Sequence, residues 1–142
     1  MNKTKQKSVL FVCVSLVSLF LFSQTSYAQL KHQGPSSSEK LAIQEAQKIL
    51  EHLQMGNTTY PYAHFDKQMK TALPADQLAQ VFSTLEKQCG TYQSATDWNV
   101  KKNGIYTIVT SKVQFEKTTL QYLITFDLDD LIAGIFFKPL PK

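Results

Sequence analysis

Residues 103–126 read NGIYTIVTSKVQFEKTTLQYLITF, and apolar and polar side chains alternate through most of this stretch. Alternation with a period of two, together with many β-branched and aromatic residues, is typical of β-strands. Asn103 and Gly104 both tolerate positive φ, a combination that favours a tight hairpin turn. The stretch therefore predicts a hairpin within an antiparallel sheet.

The same alternation continues on both sides of this stretch. Trp98 and Val100 share one face of a preceding strand that starts near Tyr92. The sequence thus predicts four strands in all, of which the last three are Ile105–Lys117, Leu120–Asp127 and Leu131–Lys138.

The part of the chain before Gly90 has a helical period of apolar residues instead. We predict three helices, the first from Ser36 to Gly56, the second from Asn57 to Pro74, and the third from Ala75 to an αL cap at Gly90. The predicted fold class is α+β, with three N-terminal helices packed on a curved four-stranded antiparallel sheet.

The N-terminus is typical of a secretory signal peptide over residues 1–28. It combines three early lysines, the apolar run Val9–Phe22 and small residues at Ser26 and Ala28, which predicts cleavage after Ala28. The alternative is an uncleaved membrane anchor, but about 14 apolar residues fall short of the roughly 18 to 20 that cross a bilayer. We expect an exported protein, periplasmic or secreted, with no membrane segment after cleavage.

The mature chain is predicted to comprise a flexible lead-in, residues 29–38, and a single α+β domain, residues 39–142. Loss of the signal removes three of the 15 lysines and none of the 11 acidic residues, so the net charge falls from +4 to +1. Because the mature chain is nearly neutral and contains no arginine, we do not expect it to bind nucleic acid. Its single thiol, Cys89, is expected to be a buried structural group rather than a nucleophile.

Three residues are candidates for acid–base chemistry: Tyr62, Asp97 and Tyr106. A carboxylate facing an enclosed pocket with a phenol could serve a small lyase or isomerase. We favour ordinary surface and packing roles for the same residues over catalysis. We expect no metal and no cofactor, because the acidic turn at residues 127–130 lacks a calcium-loop pattern and no nucleotide motif is present.

Both faces of the predicted sheet carry apolar side chains, although the helices can cover only one of them. The set that points away from the helices is Tyr106, Ile108, Leu123, Ile132 and Phe136. This set needs a cover, and the sequence leaves a second copy, a ligand and the N-terminal tether open. We expect a homodimer. The leading function is a noncatalytic exported domain that binds a protein partner or a small apolar ligand through its sheet face or a pocket; the alternative is the small lyase or isomerase.

Two segments carry a resemblance to a known family. Residues 65–74, FDKQMKTALP, and residues 132–139, IAGIFFKP, together with Gly90, resemble the bacterial family called domain of unknown function 3887. The likeness covers Leu41 to Pro139, while the turn Asp129–Leu131 departs from the family's usual Asp-Gly-Lys type. The resemblance implies an exported α+β domain with the cone-like fold of the cystatin and nuclear transport factor 2 type, sometimes fused ahead of an α/β-hydrolase. The family carries no assigned activity, so the resemblance implies fold rather than function.

Overall fold

A computed structural model describes residues 35–140, and its folded unit begins at Ser37. The predicted signal peptide, residues 1–28, and residues 29–34 of the lead-in lie outside the described residues. No helix within residues 35–140 has the length and apolar character needed to span a membrane. The elements are α1 (Ser37–Gln54), α2 (Thr59–Ala63), α3 (Lys67–Ala72), α4 (Ala75–Cys89), β1 (Tyr92–Asn103), β2 (Tyr106–Phe115), β3 (Thr119–Phe126) and β4 (Ile132–Pro139).

The four strands form one antiparallel sheet in the order β1-β2-β3-β4, which confirms the predicted α+β class. The hairpin turn lies one residue later than the sequence predicts. Asn103 pairs with Tyr106, so Gly104 and Ile105 form the loop, and of the two predicted turn residues Gly104 alone adopts positive φ, +61°. A glycine at the first central position is the usual solution for a two-residue loop of this kind.

The helix predicted between Asn57 and Pro74 is in fact two short helices, α2 and α3. The chain leaves α2 because Phe65 pairs in parallel with Ile132. Two backbone hydrogen bonds hold the pairing: Asp66 N–H donates to the Ile132 carbonyl at 3.0 Å, and Ile132 N–H donates to the His64 carbonyl at 2.7 Å. Asp66 then restarts the helix by accepting a hydrogen bond from Met69 N–H at 2.6 Å, as an N-cap does.

One face of the sheet and the helices enclose the hydrophobic core. The alternate residues of β2 and β3 that face inward are almost fully buried, as a strand with one covered face requires. Burying a large apolar side chain contributes roughly 1.5–3 kcal/mol, so this layer is the main source of stability. The core consists of Ala46, Ile49, Leu50, Leu53, Phe65, Leu78, Phe82, Val109, Val113, Phe115, Tyr122, Ile124, Phe126, Ile132 and Ile135.

Ile132 was predicted to point away from the helices, and that prediction is wrong, because the side chain has no exposed surface and belongs to the core. The register explains the difference. Thr125 pairs with Gly134 while Phe126 pairs with Ile132, so Ala133 is an extra residue in β4. Such a bulge reverses the inward and outward alternation of the residues that precede it.

Gly90 ends α4 with φ +83° and ψ −176°. This is not the predicted αL cap but an extended conformation at positive φ that is essentially reserved for glycine. A Cβ atom at this position would lie 2.7 Å from the Cβ of Glu116. Both the backbone and the packing therefore require glycine here.

We predict that Gly90→Ala lowers the free energy of unfolding by about 3 kcal/mol, against about 1 kcal/mol for Gly104→Ala. Gly104 also has positive φ, but a Cβ atom there would meet nothing within 4 Å, so it is the matched control for backbone strain alone. Urea denaturation followed by circular dichroism measures both values. Equal losses of unfolding free energy in Gly90→Ala and Gly104→Ala would contradict a steric contribution from Glu116.

The core contains one ionisable group, the Tyr122 phenol. Tyr122 is completely buried, its ring stacks on Phe137 with centroids 5.1 Å apart, and its hydroxyl donates to the Ala46 carbonyl at 3.4 Å. Burial raises the pKa of Tyr122 well above its usual range, and the negative charge of Glu45 adds to this effect. The folded protein therefore keeps the proton that the unfolded chain releases near pH 10.

Because the pKa of Tyr122 is higher in the folded protein than in the unfolded chain, this difference contributes stability below about pH 10. That contribution is lost as the pH rises from about 10 towards the folded-state pKa. We predict that Tyr122 removes about 1.4 kcal/mol of unfolding free energy between pH 7 and pH 11. Tyr122→Phe should remove this part of the alkaline loss, whereas Tyr106→Phe, at an exposed tyrosine, should retain it. Denaturation curves at both pH values test the difference, and identical alkaline losses in the two variants would refute it.

Candidate functional site

The outer face of the sheet is the side that carries Tyr106, Ile108, Leu123 and Phe136. The strand register places these four residues on one side, with Leu123 directly opposite Phe136 on the neighbouring strand. Phe136 is 57% exposed and Tyr106 39% exposed, while Ile108 and Leu123 are half-buried. The helices bury their apolar side chains against the opposite, inner face. Four of the five residues predicted for an uncovered face thus lie together on it.

Gly134 shapes the centre of this outer face. It lies between Thr125 and the solvent-facing ring of Phe136, and a Cβ atom added to Gly134 would approach that ring to 3.0 Å. The glycine therefore allows Phe136 to lie against the sheet. A broad aromatic surface that rests on the backbone in this way is well suited to contact another molecule.

The charges of the outer face are mainly positive. Lys101, Lys112 and Lys138 lie on this face; Lys101 pairs with Ile108, whereas Lys112 and Lys138 pair with Gln121 from either side. Lys112 pairs with Asp97 at 2.8 Å, and both side chains of this pair are more than half exposed. The ammonium groups of Lys101 and Lys138 have no hydrogen-bond or ion-pair partner within residues 35–140. A complementary surface would offer carboxylates around an apolar centre.

The three candidates for acid–base chemistry lie in separate surroundings. Tyr62 packs on the helix side, with its ring 5.7 Å from that of Phe65. Asp97 lies at a bulge with φ +55° and pairs with Lys112 on the outer face. Tyr106 follows the β1–β2 turn on that same outer face. The sheet therefore separates Tyr62 from Asp97, and the predicted combination of the two does not form.

A stack of aromatic rings, which sequence spacing did not predict, joins α1 to α2. The Tyr60 ring lies 4.6 Å from His52 and 4.3 Å from His64, centroid to centroid. The Tyr60 carbonyl also lies 2.8 Å from Nδ1 of His64. Since a carbonyl can only accept, Nδ1 is the nitrogen that donates in this contact. In the sequence, Tyr60 lies eight positions after His52 and four positions before His64. A turn separates His52 from Tyr60, so this spacing did not indicate that the rings stack.

Polar contacts extend this stack along α1. The Tyr60 hydroxyl donates to Oε1 of Glu45 and accepts from Nζ of Lys48, both at 2.8 Å. The Lys48 ammonium also lies 4.1 Å from the Tyr60 ring centroid, in cation–π contact. The hydrogen bond to Tyr60 raises the pKa of Lys48, burial opposes the rise, and the charges of Tyr60 and Glu45 add to it.

In the part of the chain that the structure describes, no three His, Cys, Asp or Glu side chains are grouped so that they could hold a metal ion. Asp127 uses one carboxylate oxygen to accept hydrogen bonds from the backbone N–H groups of Asp129 and Leu131, each at 2.9 Å. The acidic turn is thus stabilised by its own first side chain. Cys89 is a free thiol packed at the edge of the core.

This domain is similar to a known protein family and to a longer protein. The family model described as "Protein of unknown function (DUF3887)" matches residues 46–135, from the middle of α1 to β4. The chain belongs to the DUF3887 family. A relative of this DUF3887 chain, "Esterase EstD" of Thermotoga maritima, is 24% identical over 99 residues, which make up 70% of this chain and 24% of the esterase. The chain therefore spans about a quarter of the length of that relative. No solved structure gives a significant match.

We predict that Tyr60→Phe lowers the pKa of Lys48 towards its ordinary value of 10.5, because the hydroxyl that accepts from the ammonium is lost. An NMR titration of the Lys48 side chain measures the change. Tyr62→Phe is the matched control, since Tyr62 is a neighbouring tyrosine whose ring contacts Lys70 rather than Lys48. An unchanged Lys48 pKa in Tyr60→Phe would show that the hydrogen bond to the Tyr60 hydroxyl does not raise it.

Proposed function

We propose that this chain is an exported, noncatalytic domain whose outer sheet face docks a partner protein of the esterase type. The observation that carries the proposal is the uncovered apolar cluster of Tyr106, Ile108, Leu123 and Phe136. Apolar clusters of this kind on an otherwise polar surface commonly mark protein–protein contacts. We further propose the cone-like arrangement of the nuclear transport factor 2 superfamily, on the strength of the family resemblance.

A protein fits the outer face better than a small apolar ligand does. Small ligands bind in concave sites that bury most of their surface, whereas an open sheet exposes whatever lies on it. Phe136 and Tyr106 offer the aromatic anchors that dominate protein interfaces. Export rests on the features of residues 1–28 described above.

The choice between a second copy and a different protein rests on charge. Lys101 and Lys138 flank the apolar cluster without a partner among the described residues. Two identical faces would bring lysines together, whereas a surface with carboxylates around an apolar patch would attract them and exclude wrong partners. A different protein with such a surface is therefore favoured over the homodimer that the sequence predicted.

The esterase class comes from the relative. In the Thermotoga maritima protein, the segment similar to this chain makes up about a quarter of a chain named as an esterase. The remaining three quarters leave room for a separate catalytic domain of ordinary size. By analogy, the present domain would be the noncatalytic partner of a separate esterase-type protein.

Photo-crosslinking in the native exported fraction tests this proposal. A photoreactive phenylalanine replaces Phe136 on the outer face, or Leu128, which is 74% exposed in the turn before β4 and is the matched control. We predict that position 136, and not position 128, crosslinks to an esterase-type protein identified by mass spectrometry. Adding Leu123→Lys should lower the crosslink yield by roughly tenfold or more, since a charge would enter the apolar centre.

The other outcomes contradict the proposal in distinguishable ways. A crosslink between two copies, with a dimeric mass in solution that Tyr106→Lys together with Phe136→Lys makes monomeric, would assign the face to a homodimer. A crosslink to an unrelated protein would overturn the esterase class. No crosslink at position 136 would leave the outer face without a docking role, and hydrolysis of ester substrates by the purified chain would show that it is not an accessory domain.

A further inference from the structure

A cavity of about 490 Å³ lies on the inner side of the sheet, away from the outer face. Its wall is built by the N-terminal half of α1, by the cross-strand pair Lys102 and Thr107 next to the β1–β2 turn, and by the end of β3. His64 and Asp130 complete it from the two connections that follow α2 and β3. The volume falls within the range of natural small-molecule sites.

The ionisable groups around this cavity are mainly acidic. Glu39, Glu45 and Asp130 contribute three carboxylates, against the single ammonium group of Lys102. Neither the Asp130 carboxylate nor the Lys102 ammonium has a hydrogen-bond or ion-pair partner within residues 35–140.

Two lining side chains keep a ring nitrogen or an oxygen available for a ligand. His64 donates from Nδ1 to the Tyr60 carbonyl at 2.8 Å, so Nε2 is the ring nitrogen left for a ligand. Glu45 uses Oε1 for the Tyr60 hydroxyl, which leaves its second oxygen as an acceptor. The ring stack with Tyr60 holds His64 in place. A ligand here meets more acceptors than donors.

Apolar side chains complete the lining. Leu41 and Ala42 come from α1, and Phe126 comes from the end of β3. We propose that this cavity binds a small organic cation, a protonated amine or guanidinium with a short apolar tail, whose charged end faces Glu45, His64 and Asp130. An anion of the same shape would face three carboxylates and be repelled.

Three six-carbon probes with the same tail test the inference: hexylammonium, hexanoate and hexanol. Titrations followed by amide NMR shifts and calorimetry on the mature protein give the affinities. Hexylammonium should bind with saturable shifts at Ala42 and Thr107, and at least tenfold more tightly than hexanoate. Equal binding of the three probes would overturn the charge selectivity, and no saturable binding of hexylammonium would overturn the site.

Substitutions in the lining, each with a matched control, test where hexylammonium binds. Asp130→Asn should weaken hexylammonium binding about threefold, the scale of an exposed charge pair, whereas Asp129→Asn in the same turn should leave it unchanged. Lys102→Gln should tighten binding about twofold, a gain that loss of folding cannot imitate. Equal weakening by the two turn variants, or weaker binding in Lys102→Gln, would contradict the placement of the cation. Phe136→Lys on the outer face should have no effect, so this site and the docking face fail independently.

Discussion

The backbone pairing between residues 64–66 and Ile132 organises the rest of this domain. Its two hydrogen bonds, at 3.0 and 2.7 Å, join the helical half of the chain to the last strand. To make them, the chain must abandon α2, and Asp66 must start α3 afresh as an N-cap. The same pairing fixes His64 beside Tyr60 and holds Ile132 in the core. One short bridge thus determines a helix break, an aromatic stack and the entry into β4.

The two faces of the sheet have different physical characters. The inner face is packed with aliphatic and aromatic side chains around Tyr122, and acidic groups line the cavity next to the β1–β2 turn. The outer face is apolar at its centre and positive at its edges. We propose different partners for the two sides, an organic cation for the cavity and a protein with carboxylates for the outer face, because their charges are opposite. The chain belongs to the DUF3887 family, and a segment similar to it is part of a longer protein named as an esterase.

The predicted strands and most of the core agree with the structure because alternation directly reports which side of a strand is buried. Val109, Val113, Phe115, Tyr122 and Ile124 face the helices as expected. Ile132 was misplaced because a bulge at Ala133 shifts the alternation, and nothing in the local sequence marks that extra residue. The helix predicted across residues 57–74 was broken by a partner 67 residues away from Phe65 in the sequence, which no local period can reveal.

The candidate sites show the same limit. Tyr62, Asp97 and Tyr106 were chosen for their chemistry, but the sheet separates the first from the second, whereas His52, Tyr60 and His64 meet across a turn. By itself, the sequence determined the fold class, the four strands, the strand faces without bulges and the glycine at the β1–β2 turn. Those properties depend on neighbouring residues and on the period of burial. Only the tertiary structure decided where helices break, which aromatic rings stack and which charges share a cavity, because each depends on contacts between residues far apart in the chain.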